Sequence, residues 1–440
     1  MPINNSRKHL NADSLFSKVR DGFDNVPDHR QSGKTKISIT DALMSGLAVF
    51  SLKSPSLLCF EREIRNTPRE KNLQTLFGIG RVPDDTNMRS IIDEIDPKHL
   101  TAPFKQVFSS LQKGKVLERF QFLNKYYLIA CDGTGYFSSK SVHCAQCCEK
   151  HHRDGTTSYH HQFLTAALVH PKIKQAIPIN AEPIIKQEGS NKNDCERNAG
   201  IRLVENIRRE HPHLKIMMIE DALSGNLPRV LLLRKNNMNF ILGVKPGSQK
   251  DFFERIDEKE LARELAQKSI ETDGFRHEFS FVNGIILNAK EGKTRVNFLK
   301  YIETDASGKT KKFSWITDVE ITEENVYELM RGGRSRWHIE NQVFNSLKNA
   351  GYQFEHNFGH GKKNLSTNFA YLMLLAFLID QTQELCCEQF RNAKTFLGPL
   401  YNLWEKLRNL FDTFVIEDWK SIWAYLSKER QLIPFPPDSS

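Results

Sequence analysis

The feature that most restricts the fold is a series of five short apolar runs between residues 126 and 244. Short runs bounded by polar and turn residues are typical of buried strands. Segments at 194–210 and 227–236 separate the last three runs and predict helices. The order strand, hairpin, helix, strand, helix predicts an α/β fold in which helices flank a mixed sheet. The five runs are residues 126–131, 163–170, 176–181, 214–219 and 240–244.

The regions on either side of these runs differ in composition and in predicted secondary structure. We place domain boundaries where these properties change. The first region is helical and either binds DNA or serves only as a packing subdomain. An insertion that is rich in charged residues and interrupted by glycines contains predicted strands at 277–282 and 295–302. The predicted regions are 1–118, helical; 119–245, first part of the core; 246–312, β-rich insertion; 313–357, second part of the core; and 358–440, helical.

Composition and charge restrict the functional class. The chain has 440 residues, a net charge of +9 and 39% hydrophobic residues, so we expect a globular protein whose basic surplus favours a polyanionic partner. Its first residues lack a signal-peptide core, and the longest apolar run, 369–379, is too short to span a bilayer. We therefore expect a soluble, cytoplasmic protein with no membrane partner and with reduced thiols at its eight cysteines.

Three acidic residues are candidates for a metal centre. Asp132 and Asp221 follow two of the apolar runs, at strand ends where the sites of α/β proteins commonly form. Glu340 lies in a predicted helix, residues 335–350, on the same face as apolar side chains, so it needs a cationic partner. That partner is Arg336, one turn earlier, or a metal held jointly with other acids. The apolar side chains on this face are Trp337, Val343, Phe344 and Leu347.

Three carboxylates at one point repel one another, so a site built from them needs positive charge. Mg²⁺ or Mn²⁺ would supply it and would activate a water or a 3′-hydroxyl for phosphodiester transfer. Taken singly, an Asp before Gly is more often a turn residue, and Glu220 is a second candidate for the middle acid. The order of the acids and the apolar face of Glu340 favour Asp132, Asp221 and Glu340 as catalytic residues and metal ligands.

Three segments resemble the acidic motifs of insertion-sequence transposases of the Asp-Asp-Glu type. They are Asp132-Gly-Thr-Gly-Tyr-Phe, Ile219-Glu-Asp-Ala-Leu and Arg336-Trp-His-Ile-Glu-Asn. The resemblance covers residues 126–357, includes a β-rich insertion before the third acid, and implies an RNase H-like catalytic core. A related subgroup has the pattern Tyr, Arg, Glu, Lys. Arg336 and Glu340 keep its Arg-to-Glu spacing, whereas Gly333 stands at the Tyr position and Lys348 comes one residue late.

This resemblance implies a metal-dependent DNA transposase, which nicks the element ends and joins the freed 3′-hydroxyl to target DNA. Its partner would be double-stranded DNA, at the element ends and the target, and the bound protein would be nucleoid-associated. Synapsis of two ends implies a homodimer in the DNA complex. The expected phosphate contacts are Lys245, Arg334, Arg336 and Lys348. For any one of them taken alone, a solvated surface charge is the better explanation.

Two other functions stay open. A structure-specific, metal-dependent nuclease of the same fold would share the first chemical step, and a catalytically inactive, transposase-derived protein would only bind DNA. The segment Asp132-Gly-Thr is also similar to a motif of aspartyl-phosphate phosphatases. Those enzymes need a nucleophilic Asp two residues earlier, where this chain has Ala130, so we discount them.

A cluster of cysteines and histidines follows the first strand. His143-Cys144-Ala-Gln-Cys147-Cys148 precedes two pairs of histidines and has the residue types of a zinc site. The spacing is compressed and no second Cys-x2-Cys pair follows, so we favour an ordinary loop over a structural zinc. The paired histidines are His151, His152, His160 and His161.

Overall fold

One mixed sheet organises the protein. The computed structural model describes residues 9–28, 30, 35–64, 67–186, 194–288 and 294–428. Within these ranges an open sheet of eleven strands is flanked by helices, which confirms the predicted α/β class. The strands are β1 (Gln121–Phe122), β2 (Tyr126–Ser139), β3 (Cys148–His151), β4 (Thr157–His170), β5 (Ile173–Ile184), β6 (Ile216–Glu220), β7 (Asn239–Gly243), β8 (Ala266–Thr272), β9 (Phe275–Ile286), β10 (Arg295–Thr304) and β11 (Thr310–Thr317).

The strand order places the first long strand, β2, third along the main path of the sheet. The order is β3-β4-β2-β6-β7-β11-β10-β9-β8, with β5 beside β4 and β1 beside β2. Strands β2, β4 and β5 are antiparallel neighbours, and β6 and β7 continue the sheet parallel to β2. Strand β11 pairs antiparallel with β7, and β10, β9 and β8 follow in that order through antiparallel pairs. Every residue of β6 is buried, as expected for a central parallel strand.

Helices precede, cover and follow the sheet. The longest, α12, is buried and packs against α2 and β5. Among the described residues, no helix combines the length and apolar character needed to cross a membrane. The helices are α1 (Ala12–Phe23), α2 (Ile39–Ser51), α3 (Leu57–Ile64), α4 (Thr67–Phe77), α5 (Asp85–Asp93), α6 (Ala102–Lys113), α7 (Glu196–Glu210), α8 (Leu227–Lys235), α9 (Lys250–Leu261), α10 (Val326–Arg334), α11 (Asn345–Asn349), α12 (Leu365–Cys386), α13 (Glu388–Leu397), α14 (Leu400–Thr413) and α15 (Trp419–Leu426).

The region between β7 and β11 contains a helix that the sequence pattern did not predict. Helix α9 is highly charged, but it buries Phe252 and Ile256, which are one turn apart. The Phe252 ring lies 5.7 Å from the ring of Phe298 on β10. This contact holds α9 against the strands that follow it.

Two segments that were predicted to be helical are interrupted. Within the helix predicted at 335–350, Ile339–Phe344 forms a wider, π-helical turn that leads into α11. Within the helical region predicted at 358–440, a break separates α13 from α14. Helix α13 ends at Gly398, whose φ of +75° is outside the range of a right-handed helix, and Pro399 follows at once.

A buried ion pair joins α12 to the N-terminal helices. The ammonium group of Lys53, just after α2, pairs with Asp380 of α12. The Tyr352 hydroxyl donates to the same carboxylate at 2.5 Å, and Lys53 also donates to the Ser51 carbonyl at 3.1 Å. The ammonium group lies 3.9 Å from the centre of the Trp404 ring. Both charges are therefore removed from water and depend on each other.

We expect Asp380→Ala to lower the free energy of unfolding by about 3–5 kcal/mol, because it leaves the Lys53 ammonium buried without a counter-ion. Urea unfolding followed by tryptophan fluorescence measures the change. The control is Glu264→Ala, which breaks the more exposed Lys259–Glu264 pair and should cost less than about 1 kcal/mol. Equal losses in the two variants would contradict this view of the buried pair.

Candidate functional site

Two of the three predicted acids lie just beyond the residues through which the parallel strands β2 and β6 pair. The prediction that Asp132 ends its strand is wrong, because β2 continues to Ser139. Asp132 is within β2, and Asp221 follows the last residue of β6. Ala130 is in register with Ile219, and each acid is two residues farther along the chain. Because paired strands are about 4.8 Å apart, the backbone places both acids at the same level of the sheet.

Glu340 reaches the same edge from the π-helical turn. This turn contacts β2 and β5 and buries Ile339 and Val343, while the Glu340 side chain is only partly buried. π-Helical turns are rare and are frequent at functional sites. The prediction that Trp337 shares the buried face is wrong: 49% of this residue is exposed. The buried face passes instead through Ile339, Val343 and Leu347, at intervals of four residues.

Arg336 holds two of the acids together. Its Nη1 atom donates to Asp132 Oδ2 and to Glu340 Oε1, at 2.7 Å in each case. The Arg336 side chain is mostly buried, so these ion pairs are shielded from bulk water. The structure thus gives Glu340 the cationic partner expected one turn earlier, and it adds Asp132 to the same guanidinium group.

The environment of Asp132 changes its proton affinity. Burial is the main cause, and it raises the pKa of Asp132 to about 7. The hydrogen bond and negative charge of Glu340 also raise this pKa, whereas Arg336 lowers it. The backbone N–H of Gly133 donates to Asp132 Oδ1 at 2.9 Å and lowers it as well. A carboxyl group so strongly perturbed in a cleft is typical of functional sites.

The two adjacent acids after the apolar run of β6 have different surroundings. Glu220 is buried, and Arg229 of α8 donates to both of its carboxylate oxygens, with Nε 2.9 Å from Oε2. Asp221 is partly exposed and accepts a hydrogen bond from the Leu223 backbone N–H at 2.9 Å. Glu220 is therefore engaged in a structural ion pair, and Asp221 is the more available acid.

A fourth carboxylate, Glu196, lies close to these residues, and the sequence pattern did not indicate it. Glu196 is the first residue of α7, and its Oε1 atom would lie 2.5 Å from a methyl group at Gly133. Burial, and then the charge of Asp221, raises the pKa of Glu196. No local motif marks this residue, because α7 reaches the site through the connection between β5 and β6.

A cavity of about 620 Å³ opens beside the acids. Its walls include the ends of β6 and β7, helix α9, strands β10 and β11 and the end of α10. Asp221 and Arg336 line it, as does the exposed Trp337. The volume is within the usual range of ligand pockets. The cationic lining residues are Lys245, Lys300, Lys312, Arg334 and Arg336.

The four predicted phosphate contacts differ in their position relative to the cavity and in their ion pairs. Lys245 is exposed, lines the cavity, and forms no ion pair within the described part of the chain. Arg334 also lines the cavity, but it pairs with Glu303. Lys348 pairs with Glu355 at 2.9 Å and is absent from the described cavity lining. The structure therefore brings Lys245, Arg334 and Arg336 to one cavity and leaves Lys348 outside it.

Gly333 stands where the related subgroup has Tyr, and the packing of α10 explains this difference. A methyl group at Gly333 would lie 2.7 Å from Nε1 of Trp315 on β11. A larger side chain at this position would push α10 away from the sheet. The glycine therefore permits the close packing that leads into the Arg336 turn.

A second cluster lies beside the part of the β2–β4 pair that contains the end of β2 and the start of β4. Cys144, Cys147, His161 and His360 place their ligand atoms within 4.8 Å of one another. His161 Nε2 is 3.3 Å from each sulfur, and the sulfurs are 3.8 Å apart. The sequence pattern indicated the first three residues but not His360, which comes from the segment before α12. Cys147, His161 and His360 are buried.

Comparison with known proteins adds no relative to this description. A scan of the chain against models of protein families finds no match. A search of curated proteins likewise finds no significant match. The roles of the acids thus rest on the geometry and on the sequence resemblance.

We expect Arg336→Ala to lower the free energy of unfolding by about 1–3 kcal/mol in the absence of divalent cations, because Asp132 and Glu340 lose their shared donor. The double variant Arg336→Ala/Asp132→Asn should recover part of this loss, since one of the two negative charges is gone. Urea unfolding of the single and double variants measures both effects.

The matched control is Arg276→Ala, which breaks the exposed Arg276–Glu278 pair. It should change the free energy of unfolding by less than about 1 kcal/mol. A strictly additive double variant would show that Arg336 and Asp132 are not coupled.

Proposed function

We propose that this protein is a metal-dependent DNA transposase that cleaves and joins phosphodiester bonds at the ends of an insertion sequence. The observation that carries the proposal is that Asp132 and Glu340 accept hydrogen bonds from the same Arg336 guanidinium group. Asp221 lies at the end of the adjacent parallel strand. These acids come from two strands and a helix that are far apart in sequence. The order of these acids along the chain matches the transposase motif, and Asp221 lines a cavity that also contains five cationic side chains.

The sheet order supports an RNase H-like core. An antiparallel set of β2, β4 and β5 is extended by the parallel strands β6 and β7. The first acid is on the central strand of this group, and the second follows its parallel neighbour.

The residues at this edge fit a hard divalent cation. Asp132, Asp221 and Glu340 offer oxygen donors, which Mg²⁺ and Mn²⁺ prefer, and these three would hold the ion. When bound, Mg²⁺ or Mn²⁺ would supply Lewis-acid stabilisation of the phosphodiester oxygens. The protein positions the carboxylates, and Arg336 offsets their mutual repulsion.

The cavity beside the acids suits a nucleic-acid backbone. Lys245 and Lys312 are exposed in its lining, and neither forms an ion pair among the residues described. Trp337 adds an exposed aromatic ring, with the Arg336 guanidinium 5.5 Å from its centre. Exposed lysines bind phosphates without reading sequence, and an aromatic ring can stack on a base. We propose double-stranded DNA as the partner and a homodimer as the form that joins two ends.

We expect Asp132→Asn, Asp221→Asn and Glu340→Gln each to abolish Mg²⁺-dependent cleavage while DNA binding persists, because each removes a negatively charged oxygen donor. The substrate is a labelled duplex carrying the genomic sequences that flank the reading frame. Gel assays with Mg²⁺ and with EDTA measure cleavage, and a mobility-shift assay measures binding.

The control for this set is Asp257→Asn, because Asp257 lines the same cavity and is not one of the three acids. It should keep most of the activity. Transfer of the labelled 3′-end into a plasmid supports transposition, whereas hydrolysis alone assigns the protein as a nuclease. Binding without any cleavage by the unmodified protein would identify an inactive DNA-binding protein. Full activity in any one acid variant would refute the role of that acid.

We expect Lys245→Ala to weaken DNA binding for all sequences alike and to reduce the salt dependence of binding by about one phosphate contact. Lys348→Ala is the matched control, since Lys348 is paired with Glu355. It should change affinity less. Titrations of a labelled duplex at several salt concentrations provide the test. A larger loss in the Lys348 variant would place the DNA path outside the cavity.

A further inference from the structure

We propose that Cys144, Cys147, His161 and His360 bind one structural Zn²⁺ ion, which ties the first-acid strand to the segment that follows the third acid. This site uses none of the three acids and does not rest on the proposed function. The sequence pattern alone does not reveal it, because its fourth residue is far along the chain. Its case is built from distances, burial and the hydrogen bonds around the four side chains.

The distances suit tetrahedral coordination. A tetrahedron with Zn–S bonds of about 2.3 Å and Zn–N bonds of about 2.0 Å has edges of about 3.8 Å between sulfurs and about 3.5 Å between sulfur and nitrogen. The Cys144 and Cys147 sulfurs are 3.8 Å apart, and His161 Nε2 is 3.3 Å from each. The sulfur separation is far longer than a disulfide bond. The donor set, two thiolates and two imidazoles, is a common structural zinc set.

The second histidine is oriented for a ligand. His360 Nδ1 lies 3.3 Å from Asn357 Oδ1, which can accept a hydrogen bond from a protonated Nδ1. That hydrogen bond leaves Nε2 as the nitrogen with a lone pair, and Nε2 is buried without a hydrogen-bond partner. A buried acceptor without a partner is costly, and a metal bond would satisfy it. The ring also packs against Phe137 of β2, with ring centres 4.0 Å apart.

Hydrogen bonds within the protein fix the two backbone segments that supply Cys144, Cys147 and His360, without the help of a metal. The Cys144 backbone N–H donates to the Cys147 sulfur at 3.4 Å, which suits a thiolate acceptor. The segment that carries His360 is fixed by Asp93 of α5, whose carboxylate accepts backbone N–H bonds from residues 362–365 at 2.7–3.0 Å. Gln146 also donates to Asn364 at 2.8 Å. Four protein ligands leave no open position, so the site is structural and not catalytic.

The site links two parts of the candidate active site. On β4, His161 is paired with Phe137 of β2, and Thr165 is paired with Asp132. The cluster is therefore about 13 Å from Asp132 along the same strand pair. The fourth residue of the cluster, His360, belongs to the segment between the Glu340 turn and α12. Zinc at this point would join the two chain segments that supply the first and third acids.

Zinc content of the full-length protein, purified under reducing conditions without chelators, tests this proposal. Elemental analysis should find one zinc per chain, and Cys147→Ala and His360→Ala should lose it. The matched controls are Cys148→Ala, next to Cys147, and His356→Ala, four residues before His360. Both should keep zinc, because the Cys148 thiol donates to the Ile184 carbonyl and His356 is outside the cluster. The triple variant Asp132→Asn/Asp221→Asn/Glu340→Gln should also keep it.

A second measurement remains informative if a ligand variant does not fold. Replacing zinc by Co²⁺ in the unmodified protein should give the intense visible bands of tetrahedral cobalt and a thiolate-to-cobalt charge-transfer band. Folded protein with reduced thiols and without bound zinc would overturn the proposal. Equal zinc loss in the control and ligand variants would also overturn it. Failure of DNA cleavage would leave these readouts unchanged, so the two proposals are judged separately.

Discussion

Electrostatic repulsion between carboxylates is the constraint on which this site depends. Asp132 and Glu340 cannot both stay charged at one partly buried edge without a compensating cation, and Arg336 provides it with two 2.7 Å hydrogen bonds. Gly133 lets a further carboxylate, Glu196, approach the same strand. The raised pKa of Asp132 follows from this crowding and burial. Because this edge has more carboxylates than cationic groups, the binding of a further positive charge would reduce the repulsion between them.

The sheet also fixes what faces the acids. After β7 the chain leaves the parallel core, forms α9 and three antiparallel strands, and returns through β11, which pairs with β7. The wall opposite Asp221 is thus part of the same hydrogen-bonded sheet. The loop after Asp221 packs tightly on β7: a methyl group at Gly225 would lie 2.1 Å from the Gly243 carbonyl oxygen. The cavity is consequently defined by backbone contacts as well as by side chains.

Some of this arrangement follows from sequence and some does not. Apolar runs predicted the central strands, because buried strands need continuous apolar residues, and acids after two of those runs indicated the site. Strand β8 is mostly polar and lies at the exposed sheet edge, so it carries no such signal. The π-helical turn departs from the 3.6-residue period that was assumed, which moved Trp337 to the surface. Glu196 and His360 reach their clusters only through tertiary contacts, and no spacing rule finds them.

The two clusters differ in the chemistry that they can support. Asp221 lines the wall of an open cavity, as does Arg336, the partner of Asp132 and Glu340, so a substrate can also approach this site. The sulfur and nitrogen donors of Cys144, Cys147, His161 and His360 face one another in a largely buried group. Both clusters involve the β2–β4 pair, since Asp132 is on β2 and His161 is on β4, and each includes a residue from a later part of the chain. A zinc ion held by the second cluster would therefore order the strand pair that carries Asp132 and help to keep this acid within hydrogen-bond distance of Arg336.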